Sequence, residues 1–389
     1  MKFLHTADWQ IGKPFASIED PSKRERVRNE RIESIRRMAR LAAEHEVAFV
    51  LVVGDLFDSS TPDQSTVSAA CSVINAFSIP VYVIPGNHDH GGPGGVWEQP
   101  FFQREQKALA PNLHLLLTPE PVDTGNAIIF PCPLLRRAEA VDTTSWLRGA
   151  EIFNGIDTTK PRVVLAHGSV QSFGSSSVGD EDESATNHID IQRLATDDFD
   201  YIALGDWHGT KQITEKAWYS GTPEVDRFPK GGDYSAGNVL LVELERGARP
   251  QVTPLRTGGI QWAQLDHDFS SDPEVRGFQQ AIKNLLSQRA GQDLLLLRLR
   301  GSLGIRAHTT LTEELEALAA RLLSLRILNE TTVVPDDTEL AELTSQTHNP
   351  LAAEVARQLI ERSAADGEEG EIARIALREL YSQCHRQTA

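Results

Sequence analysis

In the stretch "YIALGDWHG", Tyr201 to Gly209, a carboxylate and an imidazole stand two residues apart, at Asp206 and His208, just past a run of apolar residues. Four other short apolar runs end the same way. Asp8 closes "KFLHTAD", Asp55 closes "VAFVLVVGD", Asn87, His88 and Asp89 follow "VYVIPG", and His167 follows "RVVLA". Aspartate, asparagine and histidine together supply the oxygen and imidazole donors that divalent metals take. The set is large enough for two ions that share one bridging carboxylate. Singly, each residue has a plainer reading, since Gly-Asp after a strand is a common turn and one histidine is usually a hydrogen-bonded polar residue. Their ordered recurrence at five run ends is not what independent turns would give.

The elements that must carry these residues follow from the same runs. Short segments rich in Val and Ile, bounded by Gly, Pro, Asn or Asp, read as buried strands, and "AIIFPC" and "NVLLVEL" join the list. Helical patterns from about Pro21 to His45 and from Thr66 to Phe77 separate the first three. Alternating strands and helices predict an α/β fold with a largely parallel sheet, and ligands of such sheets collect just past the carboxyl ends of the strands. The stretch "GSSSVGDEDESATN", Gly174 to Asn187, reads as a polar, acidic loop. Beyond Gly258 the character changes: "DLLLLRLRG" is one more strand, and Leu311, Leu315, Leu318 and Leu322 mark one face of a helix. Helical segments Pro350 to Arg362 and Glu368 to Cys384 follow, joined by the polar hinge "SAADGEEGE". Residues 1–258 are therefore expected to form the main domain and 259–389 a smaller α+β cap with a helical tail.

Composition sets limits on partners. No window approaches the roughly 18 unbroken apolar residues of a membrane span, and "MKFLHTADWQ" lacks the apolar stretch of a signal peptide, so a cytoplasmic protein without a membrane partner is expected. Three scattered cysteines, Cys71, Cys132 and Cys384, form no pair pattern and fit a reducing compartment. The formal charge of -17 argues against tight, sequence-independent binding of nucleic acid by the whole surface. Any DNA contact must be local, or helped by metal ions or a partner. The segment "SKRERVRNERIESIRRMAR" offers Arg28, Arg31 and Arg36 as phosphate contacts, against the alternative of a solvated, charge-paired helix face.

The order D-x-[H], G-D-x-x-D, G-N-H-D, H-G and G-[H]-x-H resembles the calcineurin-like metallophosphoesterase superfamily. Within it "HTADWQIGKPF", "GDLFDSS", "VIPGNHD" and "LAHGSV" look like the SbcD-type nucleases, which pair with an SMC-like coiled-coil ATPase of the SbcC type in double-strand-break repair. Protein phosphatases of the superfamily carry arginine and glycine after the second aspartate, whereas this chain has Asp58-Ser59-Ser60, which favours the nuclease branch. The resemblance implies a sandwich of two mixed β-sheets flanked by helices. It places Asp8, Asp55 and His208 on one ion, Asp55, Asn87 and His167 on the other, and His88 beside the scissile phosphate.

Two positions depart from the pattern: Gln10 and Asp206 each replace a usual histidine. With Asp206 adding an anionic oxygen and Gln10 a neutral amide oxygen, both as ligands, the set becomes oxygen-rich and turns from zinc toward manganese, then magnesium. The alternative is that Gln10 does not coordinate and the first ion binds weakly. Asp58 and Asp89 are expected to orient ligands or His88, and His5, His90 and His188 to be structural. The tail stripe Ala373, Leu377, Leu380, Tyr381 and Cys384 is either core or a docking helix. The expected function is two-metal hydrolysis of DNA as an exonuclease or endonuclease, with a homodimer compatible. The rivals are a phosphodiesterase or phosphatase for nucleotides or small esters, and a non-catalytic metal-binding scaffold of an ATPase complex.

Overall fold

The strands that precede the candidate ligands are buried on both faces, which is why they read as unbroken apolar runs rather than alternations. The structure, a computed structural model, describes residues 1–170, 186–194, 197–229, 234–286, 289, 291–334, 336–345, 350–365 and 367–386. Of the acidic stretch Gly174 to Asn187, all but Thr186 and Asn187 lie outside the described residues. The chain divides into two compact units, Met1–Gln261 and Trp262–Ala389.

The first unit begins with β1 (Lys2–Thr6), α1 (Pro21–Glu44), β2 (Val50–Val53), α2 (Gln64–Ile74), β3 (Val81–Ile84), α3 (Pro100–Leu109) and β4 (Leu113–Leu115). It continues with β5 (Val122–Asp123), β6 (Ile128–Cys132), β7 (Arg162–His167), β8 (Ser169–Val170), β9 (His188–Ile189) and β10 (Tyr201–Gly205). It closes with β11 (Lys211–Gln212), β12 (Ala217–Tyr219), β13 (Asn238–Glu243) and β14 (Gln251–Arg256). Two six-stranded sheets form, in the orders β14-β13-β1-β2-β3-β4 and β11-β12-β10-β7-β6-β5. Each is parallel at its centre and antiparallel toward an edge, so both are mixed: β13 runs against β1 and β14, and β11 and β5 run against their neighbours. This is the expected sandwich.

Its layers follow from the two-residue period of a strand. Along β2, Leu51 and Val53 face the second sheet and pack with Val163, Leu165, Tyr201 and Ala203, while Val50 and Val52 face Ile35 and Met38 of α1 and Val67 and Cys71 of α2. Each such buried Val or Leu side chain contributes about 1.5–3 kcal/mol relative to leaving it in water. Helix α1 starts sharply because Pro21 fits its first turn and the Asp20 carboxylate accepts from the amides of Ser22 and Lys23. The outer face of the second sheet, with Phe130, Ile202 and Leu204, is covered by Phe199 and by the helical turn Ser145–Arg148 through Leu147.

The second unit holds β15 (Trp262–Phe269), α4 (Glu274–Leu286), β16 (Leu294–Leu303), α5 (Ile305–Arg321), β17 (Ser324–Val333), α6 (Asp337–Thr344), α7 (Pro350–Ser363) and α8 (Glu368–Arg386). Its three strands are parallel, with β16 central. The leucine stripe is core: Leu311, Leu315 and Leu318 of α5 join Phe278 and Ile282 of α4 over Leu295, Leu297 and Leu299. In the tail, Ala373 and Leu377 are buried, Leu377 against Ala356 and Leu343. The side chains of Tyr381 and Cys384 lie outside those described. Among the described residues no helix is long and apolar enough to cross a membrane.

Candidate metal centre

The loops after β1, β2 and β3 of one sheet and after β7 and β10 of the other meet at a single edge of the sandwich. The first two run side by side, with Asp8 N–H donating to the Gly54 carbonyl at 3.1 Å and Gln10 N–H to the Asp55 carbonyl at 2.8 Å. Asp8, Gln10, Asp55 and Asp206 all take left-handed backbone conformations, with φ of 54°, 41°, 55° and 101°. Such strain persists only where the surroundings fix it, and it gathers at functional sites. The glycines in "VGD" and "PGN" make room for the ligands. A Cβ on Gly54 would lie 2.0 Å from His167 Nδ1, and one on Gly86 2.1 Å from Asp55 Oδ1.

Donor atoms of Asp8, Asp55 and His167, all buried, lie within 4.8 Å of one another. His167 Nδ1 donates to the Val53 carbonyl at 2.8 Å, which leaves Nε2 as the ligand nitrogen. That Nε2 stands 3.6 Å from Asp55 Oδ1 and 4.0 Å from Asp206 Oδ1. The Asn87 side-chain oxygen is 3.2 Å from the same nitrogen and 3.1 and 3.3 Å from the two Asp55 oxygens. Turned the other way, the amide donates to both Asp55 oxygens and to His167 Nε2; either way Asn87 brings an amide oxygen or nitrogen to the same point, and the oxygen is a donor that a divalent ion could take. The residues here fit a divalent ion. Electrostatics agree: burial disfavours a charged His167 ring, but Asp55, Asp8 and Asp206 outweigh it and raise its pKa to about 9. Burial, opposed by His208 and His167, holds Asp8 up at about 6. The centre is short of positive charge. Asp206 is held by the Ser169 hydroxyl at 2.9 Å, and its amide faces both Asp8 oxygens at 3.3 Å.

The residues assigned to the other ion are arranged differently. Gln10 Oε1 accepts from Lys13 Nζ at 2.6 Å, and Gln10 Nε2 lies 3.4 Å from His208 Nε2. His208 Nδ1 is 2.9 Å from Asp226 Oδ2, which also accepts from Lys13 Nζ at 2.7 Å. Burial pushes the Asp226 carboxyl up, but His208, Lys13 and Arg227 more than offset it and leave it well below the usual range. Among the described residues, His208 does not join the donor group of Asp8, Asp55 and His167. This half does not fit an ion as the first half does. Lys13, Ser169, Asp226 and Arg227 were not singled out from the sequence. Lys13 could have been found, three residues after Gln10 in the same loop; Asp226 carries no local signal.

His88 stands at the rim, its amide donating to Asp55 Oδ1 at 2.9 Å and its Nε2 3.9 Å from Asp55 Oδ2. Its Nδ1 donates to the Asp58 carbonyl at 2.9 Å, so Asp58 orients it through the backbone and not through the carboxylate. The buried Asp89 carboxylate accepts from the amides of Gly86 at 2.8 Å and Phe57 at 3.1 Å, tying two site loops together. Arg31 corrects the basic-helix reading. It is only 2 % exposed and donates to the carbonyls of Trp9, Asp8 and Glu224 and to the Thr222 hydroxyl. Arg28 and Arg36 pair with Glu25 and Glu33 on their own helix. His5 is structural, bonded to the Tyr201 hydroxyl and the Leu204 carbonyl, and burial lowers its pKa to about 3. His90 Nδ1 accepts from the Gly92 amide, and His188 lies in β9.

Two mixed sheets carrying an acceptor-rich pocket beside a histidine are the arrangement a metal-dependent phosphoester hydrolase requires. A family model for calcineurin-like phosphoesterases matches residues 1–240. The chain belongs to that family, as the motif order led us to expect.

Proposed function

We propose that the chain hydrolyses phosphodiester bonds in DNA, as an exonuclease or endonuclease. The observation that carries this reading is the convergence of Asp55, Asn87 and His167 beside His88. Asp55, Asn87, His167 and Asp206 would hold a divalent ion, which would supply Lewis acidity and charge neutralisation to a phosphodiester. Oxygen donors dominate that set, which favours manganese, then magnesium. In the family pattern a second ion would be held by Asp8, Asp55 and His208, the half of the site whose residues do not fit one here. His88 donates from Nε2 to the phosphate or the leaving oxygen; with Nδ1–H committed to the Asp58 carbonyl, it gives up a proton there only as the imidazolium.

A nucleic-acid substrate is supported by the "GDLFDSS" and "VIPGNHD" stretches and by Trp207, which is 41 % exposed between Asp206 and His208. Its ring lies 5.8 Å from Lys211 Nζ, and both line a small pocket with Ser169, Asp206 and Tyr219. An exposed indole beside a lysine offers a stacking face and a phosphate contact. The same reading brings in an SMC-like ATPase partner. Exposed Leu351 and Val355 of α7 and Ile372 and Ile375 of α8 support a docking surface for it.

The test is cleavage of labelled single- and double-stranded oligonucleotides with manganese, magnesium and zinc in parallel, beside a chromogenic phosphodiester. Manganese-dependent oligonucleotide cleavage supports the proposal. Cleavage of the chromogenic ester alone moves the substrate to small phosphodiesters, and activity on neither leaves a scaffold.

A further inference from the structure

We infer that this chain holds one divalent ion tightly rather than two, the ammonium of Lys13 standing in place of the second. The inference rests on the metal-centre reading above and concerns the half of the site where Gln10 replaces the usual histidine. Four side chains close a ring there: Lys13 Nζ donates to Gln10 Oε1 at 2.6 Å and to Asp226 Oδ2 at 2.7 Å, His208 Nδ1 meets Asp226 Oδ2 at 2.9 Å, and Gln10 Nε2 faces His208 Nε2 at 3.4 Å. An ammonium can only donate, so it fixes which way the Gln10 amide points. The oxygen turns to Lys13 and the NH2 turns to the imidazole.

Both donors that a second ion would need are therefore engaged. Gln10 Oε1 already accepts a charge-assisted hydrogen bond. Asp226 can only accept from His208 Nδ1–H, which leaves Nε2 with a lone pair spent on the Gln10 amide. Arg227 Nη2 also comes to 2.9 Å from Nδ1. Were it the donor there, the ring proton would move to Nε2, and that nitrogen could not bind a metal. With Nδ1–H on Asp226, Nε2 keeps a lone pair as it does in His167, but that lone pair faces the Gln10 NH2 which Lys13 fixes, so an ion could reach it only by displacing the amide. Asp8 and the shared Asp55 are the donors left, and both already belong to the group with His167.

Replacing an ion with a lysine also changes what the centre can offer. An ammonium brings a single fixed positive charge and does not dissociate, so this half keeps its charge at any metal concentration. The tight ion then supplies the metal chemistry alone.

The experiment titrates metal-free full-length chain with manganese alone, by calorimetry and by electron paramagnetic resonance. The parent should bind one ion per chain and show an isolated-ion spectrum. The double variant Gln10→His with Lys13→Ala frees His208 and adds an imidazole, so a second ion should bind roughly 10–100-fold more tightly than to the parent, with a spin-coupled pair signal. Two ions of similar affinity and a coupled spectrum in the parent would overturn the inference, and that measurement does not depend on any variant folding. No binding at all would sink it together with the metal-centre reading. Oligonucleotide cleavage is measured separately. One ion with no cleavage leaves the inference standing and removes the proposed substrate, whereas two ions with cleavage do the reverse.

Discussion

Asp55 is the residue the centre depends on most, because His167, Asn87 and His88 all approach its carboxylate. Asp55→Ala should abolish both manganese binding and hydrolysis. The metal-free variant should still fold cooperatively, since the lost support of the charged His167 ring is offset by relief of Asp8 and Asp89, which Asp55 helps burial hold above the usual carboxylate range. A variant that keeps its ion in a metal analysis would refute the assignment. His88→Gln should lose about 10²–10⁴ in turnover while keeping the parent's metal content, because its proposed role is proton donation; loss of the ion as well would make His88 a ligand. The His167 ring gives a pH dependence. With its pKa near 9 it carries a proton at neutral pH in the metal-free chain, held by Asp55, Asp8 and Asp206 against burial. The stability it lends that state is full below its ordinary pKa of 6.5 and is lost as pH rises through about 9. An entering cation must displace this proton, so manganese affinity should rise by roughly tenfold per pH unit and level off above about 9. Calorimetry at pH 7.5 in two buffers of different ionisation enthalpy should read about one proton released; identical heats would contradict it.

Arg31 shows what an element can reveal that a residue list cannot. On composition it belongs with the basic residues of its segment, but its spacing puts it on the stripe Val27, Ile35, Met38 and Ala42, all buried. The helical period that puts Arg31 on this stripe is present in the sequence, but the basic composition of the segment outweighed it and made Arg31 a phosphate candidate. What was not legible was its target, the carbonyls of Trp9 and Asp8, because those loops come from elsewhere in the chain. Arg31→Met should lower stability by about 1–3 kcal/mol by leaving the buried Trp9 carbonyl unpaired, since Thr222 still serves those of Asp8 and Glu224, and a chemical denaturation curve indistinguishable from the parent's would exclude that role. The same reasoning separates what could be read of the centre from what could not. Asp8, Asp55, Asn87, His167 and Asp206 were visible because each ends a buried strand, and strand ends are a local signal. Lys13 and Asp226 matter only through an apposition across the fold, which no short-range pattern encodes.

At the scale of the molecule, each unit has its own core, and all the candidate ligands lie in Met1–Gln261. A chain ending at Gln261 should fold, with manganese affinity within about threefold of the full chain, a difference of less than 1 kcal/mol. A folded fragment that binds none would place a ligand in the second unit. Of that unit's strands, β16 was legible as an apolar run, whereas β17 was not, because most of its residues are exposed and polar and resemble a loop. One feature of the first sheet bears on synthesis. Strand β1 lies between β2 and β13, pairing Leu4 with both Val50 and Leu241. A chain growing from its amino end makes β1 early and must wait for Asn238–Glu243 to emerge before that strand is covered on its other side. Asp206 is made almost as late. The pocket therefore cannot form until Asp206 has been made, and the strand that carries its first ligand stays open on one side until β13 follows.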